Sequence, residues 1–491
     1  MENPGFQNND SDTSIVYNGT FFNNRQYFPS FGYNDEFELK DANERRKEGL
    51  PPYYRMAKVD DLFARRNTYI ANDADWIHFE TVVSTSPDQI AIAPGYLQKE
   101  WVRNGRRYFH YKMDAPILHF YSYLSARYEV LRDRWRDVNI EIYYHKPHTF
   151  NIDRMVAGIK KSLDYYTANF GPYQHRQVRI IEFPLYAQFA QSFPNTIPYS
   201  ESIGFIARPE KDKEESIDYP FYVTAHEVAH QWWAHQVIGG NVQGCTLMSE
   251  SLSQYSALMV MEKEFGREKM RRFLKYELDS YLTGRAGELV EEMPLLLVEN
   301  QGYIHYSKGS VILYALRDYI GEDALNRALA KYLSMYKFQQ QPYTNSLEFM
   351  NVLAAEVPKD KQGLLDDMFR NITLFENHAE KAVCSRRPDG KYSVSLKAKA
   401  KKLRASGKGV ETEVAIGDDI DIGVFGETKK NGKTEQTVLY MQKHKITAHD
   451  VDVEVVVDSK PVRAGIDPYN KLVDRNSDDN VIDVEEHSMK R

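Results

Sequence analysis

Cysteine is nearly absent from this chain: Cys245 and Cys384 are the only two among 491 residues. Two thiols exclude a disulfide framework and leave the redox compartment undecided. Long apolar runs are missing as well, since no stretch approaches the roughly 20 residues of a membrane-spanning helix, and the Met1-Glu-Asn-Pro start has no signal-peptide character. An excess of positive charge is also lacking. The 63 Lys and Arg stand against 70 Asp and Glu, a net charge of -7 that gives no support to nucleic-acid binding. What is present is 42% hydrophobic residues, enough to fill real cores, over a length that points to about two to four domains. This is the composition of an ordinary soluble enzyme, either cytosolic or excised from something larger.

One segment carries most of the chemistry. His226, Glu227 and His230 form an HEVAH pentapeptide within Thr224-Ala-His-Glu-Val-Ala-His-Gln-Trp-Trp. On a helix the two histidines lie four residues apart on one face, so both imidazoles reach one Zn²⁺ at roughly 2.0–2.1 Å. Glu227 then sits out of line as a ligand but within reach of a proton on a zinc-bound water. By chance such a pentapeptide is expected only about 0.03 times in a chain of this composition.

A catalytic zinc needs three protein ligands and an open fourth position. Between Gln231 and Ser249 there is no Asp or Glu, and then comes Glu250. The first helix is expected to stop near Gly239-Gly240, and a second to run over about 247–265 before Gly266. Two antiparallel helices bring Glu250 back to the histidines. The bland reading of Glu250 is a solvated glutamate at a helix start.

These residues resemble a gluzincin of the aminopeptidase N family, whose signature is H-E-x-x-H, eighteen residues and then the glutamate ligand, with aromatic residues after the second histidine. Gln231-Trp232-Trp233 agrees, while the spacer here has nineteen residues; the extra one is expected in the 238–244 turn. Downstream, Tyr303-Ile-His-Tyr-Ser-Lys-Gly matches a family motif in which a tyrosine two residues before Lys-Gly stabilises the oxyanion, and Tyr306 holds that position. A phenol aimed there is worth about 2.7–4 kcal/mol by analogy with oxyanion-hole deletions. Tyr303 and His305 read as packing residues.

Upstream, Glu201-Ser-Ile-Gly-Phe-Ile aligns with the family's exopeptidase motif, whose glutamate binds the substrate's α-amino group. Glu201 and Gly204 are kept; the preceding Gly-x-Met is replaced by Pro198-Tyr199-Ser200. A carboxylate facing an ammonium is what amino-terminal recognition requires. Near the start, Asn18 to Pro29 resembles the segment that gives a second amino-group contact, with Asn18 where a Gln or Glu is usual. The position of that match implies a chain that begins in mid-domain. Cys245 reads as packing, and His235, about 140° round the helix from His230, as a surface or neighbouring histidine.

The pattern of elements gives an α+β multidomain chain. Residues 1–137 read as a mostly β domain, partial at its start, with helical patches at 41–47 and 59–66 and a turn at Asn104-Gly105. Residues 138–375 begin with a strand at 138–144, a helix capped by Asn151 and a strand at 178–183, interrupted by a charged loop at 209–216. They end in helices that include 324–336. With the resemblance, this segment is a thermolysin-like zinc peptidase domain. Residues 376–475 alternate as a β-sandwich, with hairpin signals at Asp389-Gly390 and Asn431-Gly432. Its basic run 397–408 reads as a lysine-lined edge strand, and 476–491 reads as a polar tail.

The resemblance implies one Zn²⁺ per chain held by His226, His230 and Glu250, Glu227 as general base, Tyr306 as oxyanion donor, and Glu201 and Asn18 as contacts to a peptide's amino terminus. It extends to the peptidase portion of bacterial proteins that join an ABC-transporter permease to this peptidase type, which implies a membrane-tethered native protein. Two alternatives stay open: a zinc endopeptidase, and a non-catalytic peptide-binding or regulatory domain of a transporter.

Overall fold

The computed structural model describes residues 15–486 apart from 17, 30–31, 33–37, 73, 185–186, 210–215 and 431–432. Most of the charged 209–216 loop and the whole Asn431-Gly432 pair therefore lie outside the described residues. The architecture is a mixed α and β one with several separate sheets. Packing divides it into two units. One runs to Glu264 and takes in Leu296–Asn300 and Ile320–Val357; the other comprises Phe265–Leu295, Gln301–Tyr319 and the chain from Pro358 onward.

The first unit opens with small antiparallel sheets. Strands Tyr96–Arg103 and Arg106–Lys112 pair across Asn104 and Gly105, both at positive φ, the geometry for which Asn-Gly is suited. A four-stranded sheet follows, in the order Glu129–Trp135, Val138–Tyr144, Gln177–Phe183, Thr196–Ser200. Its last two pairings are parallel. The parallel step between Val138–Tyr144 and Gln177–Phe183 needs a crossover, which the helix Ile152–Asn169 supplies. Asn151 precedes that helix as expected, but its side chain makes no cap bond. Instead its Nδ2 donates to the carbonyls of Gly204 and Ala207, both at 2.7 Å, tying the helix start to the turn that follows Glu201.

The helix Tyr219–Ala229 carries His226 and Glu227. Asp218 caps it, accepting from the Phe221 N–H at 3.2 Å, and Pro220 fits its first turn, where an N–H is dispensable. It lies against Ile152–Asn169 at a place where only glycine fits: a Cβ on Gly158 would stand 3.0 Å from Thr224 Cγ2. The Tyr166 hydroxyl donates to the Ala225 carbonyl at 2.8 Å across the same contact.

The helix ends at Ala229, ten residues before the glycine pair expected to stop it. From His230 the chain winds in irregular turns. The cause is Trp232-Trp233, both fully buried in different directions: Trp232 packs on Tyr166 and Tyr173 and donates to the Gly171 carbonyl, while Trp233 packs on Phe170 and donates to Ser256 Oγ. Gly239 and Gly240 instead mark a backbone crossing. Gly240 donates to the Thr344 carbonyl, and its Cβ would meet Arg65 Cα at 2.9 Å.

In the second unit two sheets close on one apolar core that draws Val394, Leu396 and Ala398 from one and Ile420, Ile422 and Ala464 from the other. The lysine-rich strand Tyr392–Ala405 is not an edge. It pairs with Ile372–Arg386 on one side and with Glu411–Val414 and Asp450–Val457 on the other. Its Leu396, Ala398 and Ala400 face the core, and the intervening lysines are balanced by neighbouring acids, Lys399 by Glu380 and Lys401 by Glu376 and Glu413. The stretch read as a polar tail likewise joins the sheets. Val481–Asp483 pairs with Arg463–Ile466 and Glu485–Glu486 with Ile372–Arg386, because Ile482 and Val484 supply apolar side chains to the core.

Candidate metal centre

Glu250 returns to the histidines on the second helical stretch. Its first turn, Leu247–Ser251, is π-wound and runs directly into the α-helix Leu252–Phe265, so the predicted limits 247–265 match with a widened start. An i→i+5 turn takes up one residue more than an α-turn and recurs at functional sites. The one-residue excess in the spacer therefore has a place at Glu250 itself as well as in the glycine loop.

The three side chains converge. His226 Nε2 and His230 Nε2 are 2.9 Å apart, and Glu250 Oε2 lies 3.4 Å from the first and 3.2 Å from the second. Four ligands at 2.0–2.1 Å in a tetrahedron are separated by about 3.3–3.4 Å, so these atoms fit one zinc ion with little movement. His226 and His230 are buried and Glu250 nearly so. His230 Nδ1 donates to the Trp233 carbonyl at 3.0 Å and lies 3.1 Å from Ser253 Oγ. That bond leaves the lone pair on Nε2, where a metal needs it.

The electrostatics agree with a cation site. Burial opposes charge on His230, yet the Glu250 and Glu227 carboxylates outweigh it and hold the imidazole up at about 9. Burial also opposes charge on Glu250, but the two histidines overcome it and hold the carboxyl well below its ordinary range. Glu227 is pushed the other way, upward, by burial. Its Oε2 is buried without a hydrogen-bond partner among the described residues, as suits an acid whose partner is a substrate or a water. Ser192 Oγ donates to the Glu227 carbonyl at 2.9 Å and receives Gln231 Nε2 at 2.6 Å, which fixes the helix end that presents Glu227.

The remaining predicted residues are dispersed. Glu201 opens the π-wound turn Glu201–Phe205 directly after strand Thr196–Ser200, and its carboxylate lies close to His148 and Glu182. Gly204 in that turn packs on the Tyr199 ring, which a Cβ would meet at 2.9 Å. Asn18 is exposed in the turn between Ile15–Val16 and Gly19–Asn23. Tyr306 belongs to the second unit, on the π-wound turn Tyr303–Lys308, with a partly exposed ring edge-on to His305. Below it Lys308, Arg285 and Tyr281 converge on the buried Glu292, and Tyr303 stacks on Tyr281. Tyr303 and His305 do pack, as expected.

Cys245 is buried, and burial pushes its thiol up to about 12, so it is inert. His235 is not at the surface: its Nε2 meets the Ser192 carbonyl at 2.9 Å, and burial holds it down at about 4. Sequence reasoning missed Ser192, Ser253 and Tyr69, whose phenol is pushed upward first by burial and then by the Glu250 carboxylate nearby. Among 34 tyrosines, nothing local distinguishes Tyr69.

Two imidazoles on one helix end, a carboxylate from the next helix and a buried acid with an unbonded oxygen are the groups that an H-E-x-x-H metal centre requires. The model of the peptidase family M1 domain matches residues 154–367. Probable aminopeptidase 1 of Sulfurisphaera tokodaii is 30% identical over 190 residues, 36% of this chain and 23% of that protein. The tricorn protease-interacting factor F2 of Thermoplasma acidophilum is 24% identical over 46% of this chain and 29% of its own length. The matches thus span under a third of these relatives. In fold, the chain is similar to Legionella pneumophila aminopeptidase A, solved in complex with aspartic acid. That likeness has a TM-score of 0.53 at 16% identity, over 86% of this chain and 46% of the other. No helix among the described residues is long and apolar enough to cross a membrane.

Proposed function

We propose that this protein is a zinc-dependent aminopeptidase, with a thermolysin-like arrangement over residues 138–375, a mostly β segment before it and a β-sandwich after it. The observation that carries the reading is the convergence of His226, His230 and Glu250 next to the unbonded Oε2 of Glu227. When bound, Zn²⁺ supplies Lewis acidity that polarises the scissile carbonyl and acidifies a water.

The chain's own residues do the rest. Glu227 takes the proton from the attacking water and hands it to the leaving amine, a role suited to a carboxyl whose affinity for a proton burial has raised. Tyr306, on its motif, donates to the oxygen of the tetrahedral intermediate. Glu201 binds the free α-ammonium and so limits cleavage to the first residue, with Asn18 as a second contact on its motif. Peptides are the substrates, and a membrane-embedded permease segment outside this chain is the partner consistent with the wording of the motifs.

The test is hydrolysis of an aminoacyl reporter and of a peptide with and without N-acetylation. Chelation should abolish cleavage, zinc should restore it, and acetylation should block it. Equal cleavage of the acetylated peptide would make the enzyme an endopeptidase instead.

A further inference from the structure

We infer that His148, oriented by Glu182, is a further contact for the substrate's α-ammonium, in addition to Glu201 and Asn18. This rests on the aminopeptidase reading of Glu201. Apart from the 226/230/250 set, one other trio of candidate ligand side chains stands out among the described residues: His148, Glu182 and Glu201, with one atom from each all within 4.8 Å of one another.

Glu182 is the anomaly in this trio. It lies on a strand whose Ile180, Ile181 and Phe183 are wholly buried, and it is itself wholly buried. Its Oε2 accepts the backbone N–H of His145 at 2.6 Å, and its Oε1 is hydrogen-bonded to His148 Nδ1. An acid is costly in such a strand unless it holds something in place.

What it holds is one tautomer of His148. With the Nδ1 N–H donating to Glu182 Oε1, Nε2 is the nitrogen left to accept. The side chain of His148 is 24% exposed while that of Glu182 is 0% exposed, so a ligand can reach the imidazole and not the acid. Glu182 is therefore a positioning residue. An ammonium carries three donors; Glu201 offers it charge and one acceptor, and His148 Nε2 offers another. The neighbouring His145, its ring 5.9 Å from that of His148, has its pKa lowered by burial, which favours the neutral imidazole, so it adds no repelling charge.

A metal would also prefer such residue types, but the two sites differ in spacing. At the 226/230/250 site Glu250 stands 3.2 and 3.4 Å from the imidazole nitrogens, close to tetrahedral edges. Here the imidazole and Glu182 are bonded directly to each other, which leaves no ion-sized gap between them.

The experiment measures kcat and KM for an unblocked peptide, and cleavage and competitive inhibition by its N-acetylated form, in the zinc-loaded wild type and in His148→Ala, His148→Gln and Glu182→Gln, with zinc content and melting temperature recorded. His148→Ala should raise KM for the unblocked peptide about 10-fold or more, as expected for a lost hydrogen bond to a charged group. It should leave kcat, zinc content and the inhibition constant of the blocked form as a competitor unchanged. His148→Gln, which keeps an acceptor, should restore part of the binding, and Glu182→Gln should shift KM in the same direction by less. A wild type that discriminates against acetylation while His148→Ala discriminates equally well overturns this inference alone. So does a second zinc equivalent lost in His148→Ala. A wild type indifferent to acetylation overturns the aminopeptidase reading itself.

Discussion

The carbonyl of Trp233 accepts the Nδ1 proton of His230 at 3.0 Å. This bond links the two indoles after the pentapeptide to the metal site: the buried Trp233 stops the helix, and its carbonyl sets the imidazole so that Nε2 faces His226 and Glu250.

Ser253 Oγ, 3.1 Å from the same nitrogen, supports that orientation. Ser253→Ala should weaken zinc binding about 10-fold, the lower end for outer partners of a ligand histidine. Competition with a chromogenic chelator would measure it, and the circular dichroism spectrum should be unchanged.

Tyr306 makes a separate prediction. Tyr306→Phe should lower kcat by about 10²–10³, with KM and zinc content held, because a donor to the developing oxyanion acts on the transition state alone. Steady-state kinetics beside metal analysis would show it.

Asp467 gives a pH dependence in the second unit. Burial pushes its carboxyl up to about 8, although the Lys471 and Leu472 N–H groups donate to it. A carboxyl in the unfolded chain titrates near 3.9, so between about pH 4 and 8 the folded state holds the extra proton. Stability is then greatest at the acid end of that window and falls as pH rises through it. Asp474, raised by burial to about 6, acts in the same sense. Asp467→Asn should flatten the fall in melting temperature between pH 5.5 and 8.5 without removing it.

The metal site was readable in the sequence because its parts are local or periodic. HEVAH is a spacing on one helix face, Glu250 ends an acid-free stretch, and the 138–144 and 177–183 strands show their burial in their pattern. The helix end at Ala229 was not readable, because two adjacent indoles choose their directions by contacts with Tyr166 and Phe170, some sixty residues away in the chain. The lysine-rich strand misleads for a related reason: Lys397, Lys399 and Lys401 alternate with core-facing Leu396, Ala398 and Ala400, and what makes the strand central is hydrogen bonding by its backbone. Ser253 and Tyr69 take their meaning from neighbours that only the fold brings together. Glu182 did carry a signal, an acid inside an apolar strand, and its partner His148 lies 34 residues earlier.

The central claim is that Glu227 is the base of a zinc hydrolase and not one of its ligands. Glu227→Gln, prepared alongside wild type, should retain one zinc per chain while turnover of an aminoacyl reporter falls by at least about 10². Wild-type turnover in that variant, or loss of its zinc, would contradict the account.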